Sequence, residues 1–140
     1  MIPFRYFLLW LFLPLLGVLN GTFRIIYLTR YLPDLATHQV STLTGIILFG
    51  GYIWYVNQRW PFDSGKQAIL VGCTWLVLTI LFEFGFGHYI FGQPWPALLH
   101  DYHILAGRVW LLVLFWITIS PLIFYKIKEK NPPSRQPFLK

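Results

Sequence analysis

Glu83 sits about 16 residues into a long apolar run, roughly 25 Å along a helix that rises 1.5 Å per residue. A carboxylate at such depth in a bilayer is expensive unless it is paired or protonated. The cations at matching depth are Arg24 and Arg108. The sequence therefore predicts that Glu83 pairs with one or both. Such a pair would either fix helix register or form the charged wall of a ligand or proton site.

Other polar residues fall at helical spacing. Asn20 and Arg24 are four apart and share a face, and His38, Ser41, Thr42 and Gly45 follow the i, i+3, i+4, i+7 pattern of one stripe. Thr79, Glu83 and Gly87 make a third stripe. Asp101, Leu105 and Arg108 make a fourth, beside His100, His103 and Gly107. All four stripes lie toward the same end of their helices, and the opposite halves are nearly pure Leu, Ile, Phe and Trp. The candidate site residues are thus Asn20, Arg24, His38, Ser41, Thr42, Glu83, His88, Asp101, Tyr102 and Arg108. A cluster of this kind could hold a proton, an anion, a haem or a quinone head group.

The four histidines, His38, His88, His100 and His103, all fall at that end. Two facing histidines can ligate a haem iron, and three can hold zinc or copper. The chain has neither the C-x-x-C-H attachment motif nor the H-E-x-x-H spacing. Interfacial hydrogen bonding is therefore the default role of these rings, with metal or haem as the alternative. Ser41 and Thr42 have no Asp–His arrangement on a strand–turn–helix, which argues against a serine hydrolase. Gly85-x-Gly87 lacks a dinucleotide-binding context.

The elements that must position these residues follow from composition. Of 140 residues, 56% are hydrophobic and 11% charged, against about 45–50% and about 25% in soluble domains. One cysteine, Cys73, excludes a disulfide scaffold and any chemistry that needs an internal Cys pair. A bilayer core about 30 Å thick needs roughly 20 apolar helical residues per crossing. Four stretches qualify, approximately 6–26, 40–56, 67–86 and 104–125. The prediction is an all-α, four-helix transmembrane bundle forming a single domain over 1–130, with a polar, proline-bearing tail over 131–140. The first stretch lacks a small-residue cleavage pattern and runs on through Asn20 and Arg24, so it reads as a retained helix.

Lys and Arg set the expected orientation. Arg5, Arg59, Lys66, Lys126, Lys128, Lys130, Arg135 and Lys140 fall on one side of this layout, and Arg24, Arg30 and Arg108 on the other. That asymmetry predicts cytoplasmic termini and a cytoplasmic loop at 57–66, with the loops at 28–39 and 87–103 outside. The net charge of +6 is then a topology signal and a contact with anionic lipid, not a nucleic-acid surface. Many of the aromatic residues, 20% of the chain, cluster near span ends as interfacial belts do.

The run Asn20-Gly21-x-x-Arg24, followed by His38-Gln39-x-Ser41-Thr42, resembles small bacterial four-span integral membrane proteins of unassigned function. Phe82-Glu83-Phe84, Gly87-His88-Tyr89, Gly92, Trp95, Asp101-Tyr102 and Gly107-Arg108 resemble the rest of that pattern, which spans roughly residues 15–115. The resemblance implies the four-span fold and marks these positions; it brings no activity. The chain lacks the first-helix glutamate of small multidrug transporters and the glycine-rich opening of fluoride channels.

The functional expectation is a non-enzymatic accessory or structural subunit of a larger membrane complex, or a homo-oligomer, in a bacterial cytoplasmic (inner) membrane. Its partners would be lipid and other membrane subunits or further copies of itself. The alternative is a small-ligand, proton or anion site for binding or transport, haem and quinone included, formed by the polar cluster.

Overall fold

The computed structural model describes residues 2–90, 92–100 and 110–132. Among these, all regular structure is helical: α1 (Arg5–Trp10), α2 (Phe12–Ile26), α3 (Asp34–Arg59), α4 (Gly65–Gly85), α5 (Trp95–His100) and α6 (Trp110–Lys130). A 3₁₀ turn at Leu28–Arg30 follows α2, and a π turn at Phe86–Ile90 follows α4. Four stretches are long and apolar enough to cross a membrane: Arg5–Arg30, Asp34–Arg59, Gly65–Ile90 and Leu111–Lys130. The fold is therefore an all-α bundle with four spans of membrane-crossing length.

The first span is not the continuous helix expected over 6–26. Pro14 has no backbone N–H, and its ring crowds the carbonyl four residues back, at Trp10. There α1 ends. Leu11 keeps helical angles (φ −57°, ψ −24°), so the break is a kink and not a loop. Its N–H turns back to Leu8 O at 3.2 Å, in the tighter 3₁₀ manner.

The second span starts earlier than the expected residue 40. Pro33 cannot extend a helix backwards, and Asp34 places a carboxylate in the first turn of α3, where the helix dipole favours it. His38 and Gln39, which the sequence places at the end of a loop, are thus helical. The start of α4 is capped by Ser64, whose Oγ accepts the Gln67 N–H at 3.1 Å, while Gln67 Oε1 accepts the Asp63 N–H at 2.7 Å. The fourth span runs on to Lys130, past the expected 125, with Pro121 inside it. Of the tail, 133–140 lie outside the described residues.

In the bundle, α6 packs between α3 and α4, and small residues let it approach both. A Cβ on Gly72 of α4 would run into the backbone carbonyl oxygen of Thr118. On the other side Gly50 of α3 meets the Trp116 ring, with an added Cβ 3.0 Å from it, and Trp116 Nε1 donates to Ile46 O at 3.0 Å. Trp75, Ile53, Val56, Val71 and Val113 close the core around this contact.

The two halves of the first span go to different neighbours. Trp75 Nε1 of α4 donates to Tyr6 O at 2.9 Å, and Trp10 Nε1 donates to Thr79 Oγ1 at 3.1 Å, which ties α1 to α4. Tyr52 of α3 donates its hydroxyl to Leu9 O at 2.7 Å, in the turn where Pro14 removes a donor. Beyond the kink, α2 packs mainly on α3 and only lightly on α4. Arg5, Arg59, Lys66, Lys126, Lys128 and Lys130 gather at one end of the bundle, and Arg24 and Arg30 lie at the other.

The Gly72–Thr118 approach makes a direct prediction. Gly72→Ala forces α4 and α6 apart and should cost about 1–3 kcal/mol or more, the range for overpacking. Gly51→Ala, whose Cβ meets nothing within 4 Å, should hold or raise stability, by up to about 1 kcal/mol, because alanine is the better helix former. Unfolding of both variants in mixed micelles by denaturing detergent checks the contrast.

Candidate functional site

Where α2 leaves α4 there is a cavity of about 240 Å³. It is long and graded. Its α2 wall climbs from Leu13 to Arg24, about 11 residues or roughly 16 Å of helix. Leu13, Phe49 and Ile117 line the apolar end; Asn20 and Ser41 stand higher; Arg24, His38, Glu83 and Gln93 are at the polar end.

The space exists because two α2 positions carry no side chain. Gly17 and Gly21 are four apart on the cavity face, a spacing that in apolar helices usually lets two backbones touch. Here it does the opposite. A Cβ at Gly21 would meet nothing within 4 Å, and one at Gly17 would reach Phe49 at an ordinary 3.7 Å. On the far wall, Phe82 and Phe86 stack at 5.0 Å with planes 14° apart. The π turn that follows brings Gly87 to the rim, and Gln93 N–H returns to Gly87 O at 3.0 Å after Gly92 reverses the chain at φ +66°.

Arg24 does not form the expected ion pair with Glu83: among the described residues no such contact occurs, although both line the cavity. Instead Arg24 Nη1 lies 3.3 Å from His38 Nδ1. A guanidinium has no acceptor, so the imidazole nitrogen accepts and the ring carries its proton on Nε2. That side of the ring faces Asp34 Oδ1 at 4.0 Å, one helical turn back. The reason is local. The 3₁₀ turn at Leu28–Arg30 folds α2 directly onto the first turns of α3, so Arg24 meets α3 before it can reach α4. Arg108, the other expected partner of Glu83, lies outside the described residues.

Asn20 and Ser41 are the most buried polar residues on the wall, 2% and 1% exposed. Asn20 Nδ2 donates to Ser41 O at 2.9 Å. Among the described residues, Asn20 Oδ1 and Ser41 Oγ have no hydrogen-bond partner. Buried polar atoms are almost always satisfied, so two orphans on one cavity wall need a cause. Asn57 and Ser120 carry further buried atoms without partners, but neither residue lines this cavity.

Five of the ten residues singled out in the sequence therefore line one cavity: Asn20, Arg24, His38, Ser41 and Glu83. Thr42 is buried but turned inward, with its Oγ1 donating to His38 O at 2.8 Å. His88 stacks on Trp95 at 4.0 Å, and its Nδ1 donates to Gln93 O at 2.8 Å. Asp101, Tyr102 and His103 lie outside the described residues, as does Arg108; of His100 only the backbone, at the end of α5, is described. Among the described residues no three of His, Cys, Asp and Glu come together in a metal-binding group. Sequence reasoning does not single out Gly17 or Phe49, and Gly21 and Phe82 enter it only for the resemblance and not as site residues. A signal for the two glycines was present, since Leu13, Gly17, Asn20, Gly21 and Arg24 share one face of α2.

Comparison with family models, with curated proteins and with solved structures gives no match, so the site is read from its own chemistry. That chemistry predicts opposite tautomers for the two described rings. At a pH of about 8, above the ordinary imidazole range, nitrogen NMR of histidine-labelled protein should find His38 with a bare Nδ1 and His88 with a protonated Nδ1. The same tautomer at both positions would contradict the geometry.

Proposed function

We propose that this chain is an integral membrane protein that binds a small amphiphilic molecule, drawn from the bilayer into the cavity between α2, α3 and α4. The observation that carries this reading is the grading of the cavity. An apolar floor at Leu13, Phe49 and Ile117 passes through Asn20 and Ser41 to a charged end at Arg24, His38 and Glu83. A molecule with an apolar body and a polar head matches that sequence of environments. Its volume suits a compact head or a fused ring rather than a drug-sized ligand, since pockets for those hold about 300–1,000 Å³.

The basic end supports an orientation with both termini in the cytoplasm and the cavity opening toward the other face. In that orientation the charged end of the cavity lies at the depth of the outer head groups, where an amphiphile would present its polar part. Lipid suffices as the partner for outward apolar side chains such as Leu43, Ile47, Leu81 and Phe115, so the reading needs no second protein. The role is binding, as a carrier, a sensor or one step of transport.

Gly21→Leu tests the reading. The new side chain enters open space, and replacing glycine inside a helix favours the fold by up to about 1 kcal/mol. Wild-type protein purified from its own membranes should release a defined small molecule on organic extraction, and Gly21→Leu should carry at least tenfold less of it while keeping its thermal stability. Equal amounts from the two proteins, or none from either, would overturn the proposal.

A further inference from the structure

The two orphaned atoms limit what the head of the ligand can be: it must carry a donor for Asn20 Oδ1. Because Ser41 O is a carbonyl and can only accept, the Asn20 group that faces it must be the amide NH₂. The amide orientation is thereby settled, and the unsatisfied Asn20 atom is Oδ1, an acceptor with nothing to give. Its neighbour on the wall, Ser41 Oγ, can donate one proton and accept others. A carboxylate, a phosphate or a ketone placed here would satisfy Ser41 but set oxygen against oxygen at Asn20. A hydroxyl satisfies both: its proton goes to Asn20 Oδ1 and its lone pair takes the Ser41 proton.

The space around this pair fits an apolar body with aromatic neighbours. Phe82 of α4 and Phe86 of the π turn line one side, their rings stacked on each other, and Phe49 and Ile117 line the apolar end. An apolar cavity of about 150 Å³ already holds benzene, and this one holds about 240 Å³. Water alone is a poor occupant. At about 30 Å³ each, roughly eight molecules would fill the volume, and each would want two to four polar partners that a mostly apolar wall does not supply.

We propose that the cavity is a site for a hydroxyl-bearing aromatic molecule, of the phenol or hydroquinone class, whose hydroxyl is read by Asn20 Oδ1 and Ser41 Oγ together. The proposal rests on the reading of the cavity as an amphiphile site and names the head group that site selects. Nothing covalent is involved; the recognition is one donated and one accepted hydrogen bond in an apolar surround. In such a surround a missing bond is not replaced by water, so the selection is sharp.

The test uses three probes that share one ring system: 2-naphthol, 2-methoxynaphthalene, which has no donor, and 2-naphthoate. Calorimetric titration of the full chain in lipid nanodiscs, with Gly21→Leu as the background for partition into lipid, measures each. The expected result is saturable 2-naphthol binding at least tenfold tighter than that of either other probe. Ser41→Ala removes a hydroxyl that bonds to nothing within the protein and leaves the Asn20–Ser41 backbone bond intact. It should hold or raise thermal stability and cut the preference for 2-naphthol to within about threefold. If 2-methoxynaphthalene binds as well as 2-naphthol, or 2-naphthoate binds best, the head-group assignment falls and the amphiphile site stands. If Ser41→Ala keeps the full preference, the two-atom reading falls. Absence of any binding that Gly21→Leu removes overturns both.

Discussion

Pro14 can neither donate a backbone hydrogen bond nor let the carbonyl four residues before it sit where a straight helix would place it. The first span consequently divides into α1 and α2, and the two halves serve different neighbours. The α1 half is held by Trp75, Trp10 and Tyr52 through bonds of 2.7–3.1 Å to α4 and α3. The α2 half rests on α3 and is pinned there by Asn20 Nδ2 on Ser41 O. The cavity lies where α2 packs on α3 and only lightly on α4, and Gly17 and Gly21 put no side chain into it.

The rest of the bundle supplies the rigidity against which such a gap can stay open. Gly72 lets α4 approach the Thr118 carbonyl, and Gly50 admits the Trp116 ring, so α6 is locked between α4 and α3. Most of the long-range polar contacts run from a side chain to a backbone carbonyl, as in Tyr6 to Trp60, Trp116 to Ile46 and Lys128 to Asn57. Apart from the Lys128 ammonium, the donors in these bonds are neutral. In a low-dielectric interior that economy makes the exceptions informative. In the cavity Arg24 and His38 are joined to each other, and among the described residues Asn20 Oδ1 and Ser41 Oγ have no partner.

Much of the site could be read from spacing, because helical periodicity assigns residues to faces without any knowledge of neighbours. The stripes Asn20/Arg24, His38/Ser41 and Thr79/Glu83/Gly87 converge on one cavity, and the four-span bundle follows from apolar run length alone. Periodicity says nothing of which face meets which. Arg24 was matched with Glu83 because their depths agree, whereas the short connection after α2 delivers it to His38. Thr42 shares the His38 stripe yet turns inward, since its hydroxyl finds the carbonyl of its own helix. Pro14 lay inside an uninterrupted apolar run, where hydropathy conceals a missing backbone donor. Gly17 and Gly21 share the Asn20/Arg24 face, but their spacing alone does not say that no side chain from α4 would fill the space beside them.

The most direct test of this account is an experimental density map of the protein extracted together with its native lipid. The expected result is a helix break at Leu11 and non-protein density running along α2 between Leu13 and Arg24, beside Phe82 and in contact with Asn20 and Ser41. A straight first span with α2 packed against α4, or a cavity filled by the protein's own side chains, would contradict it.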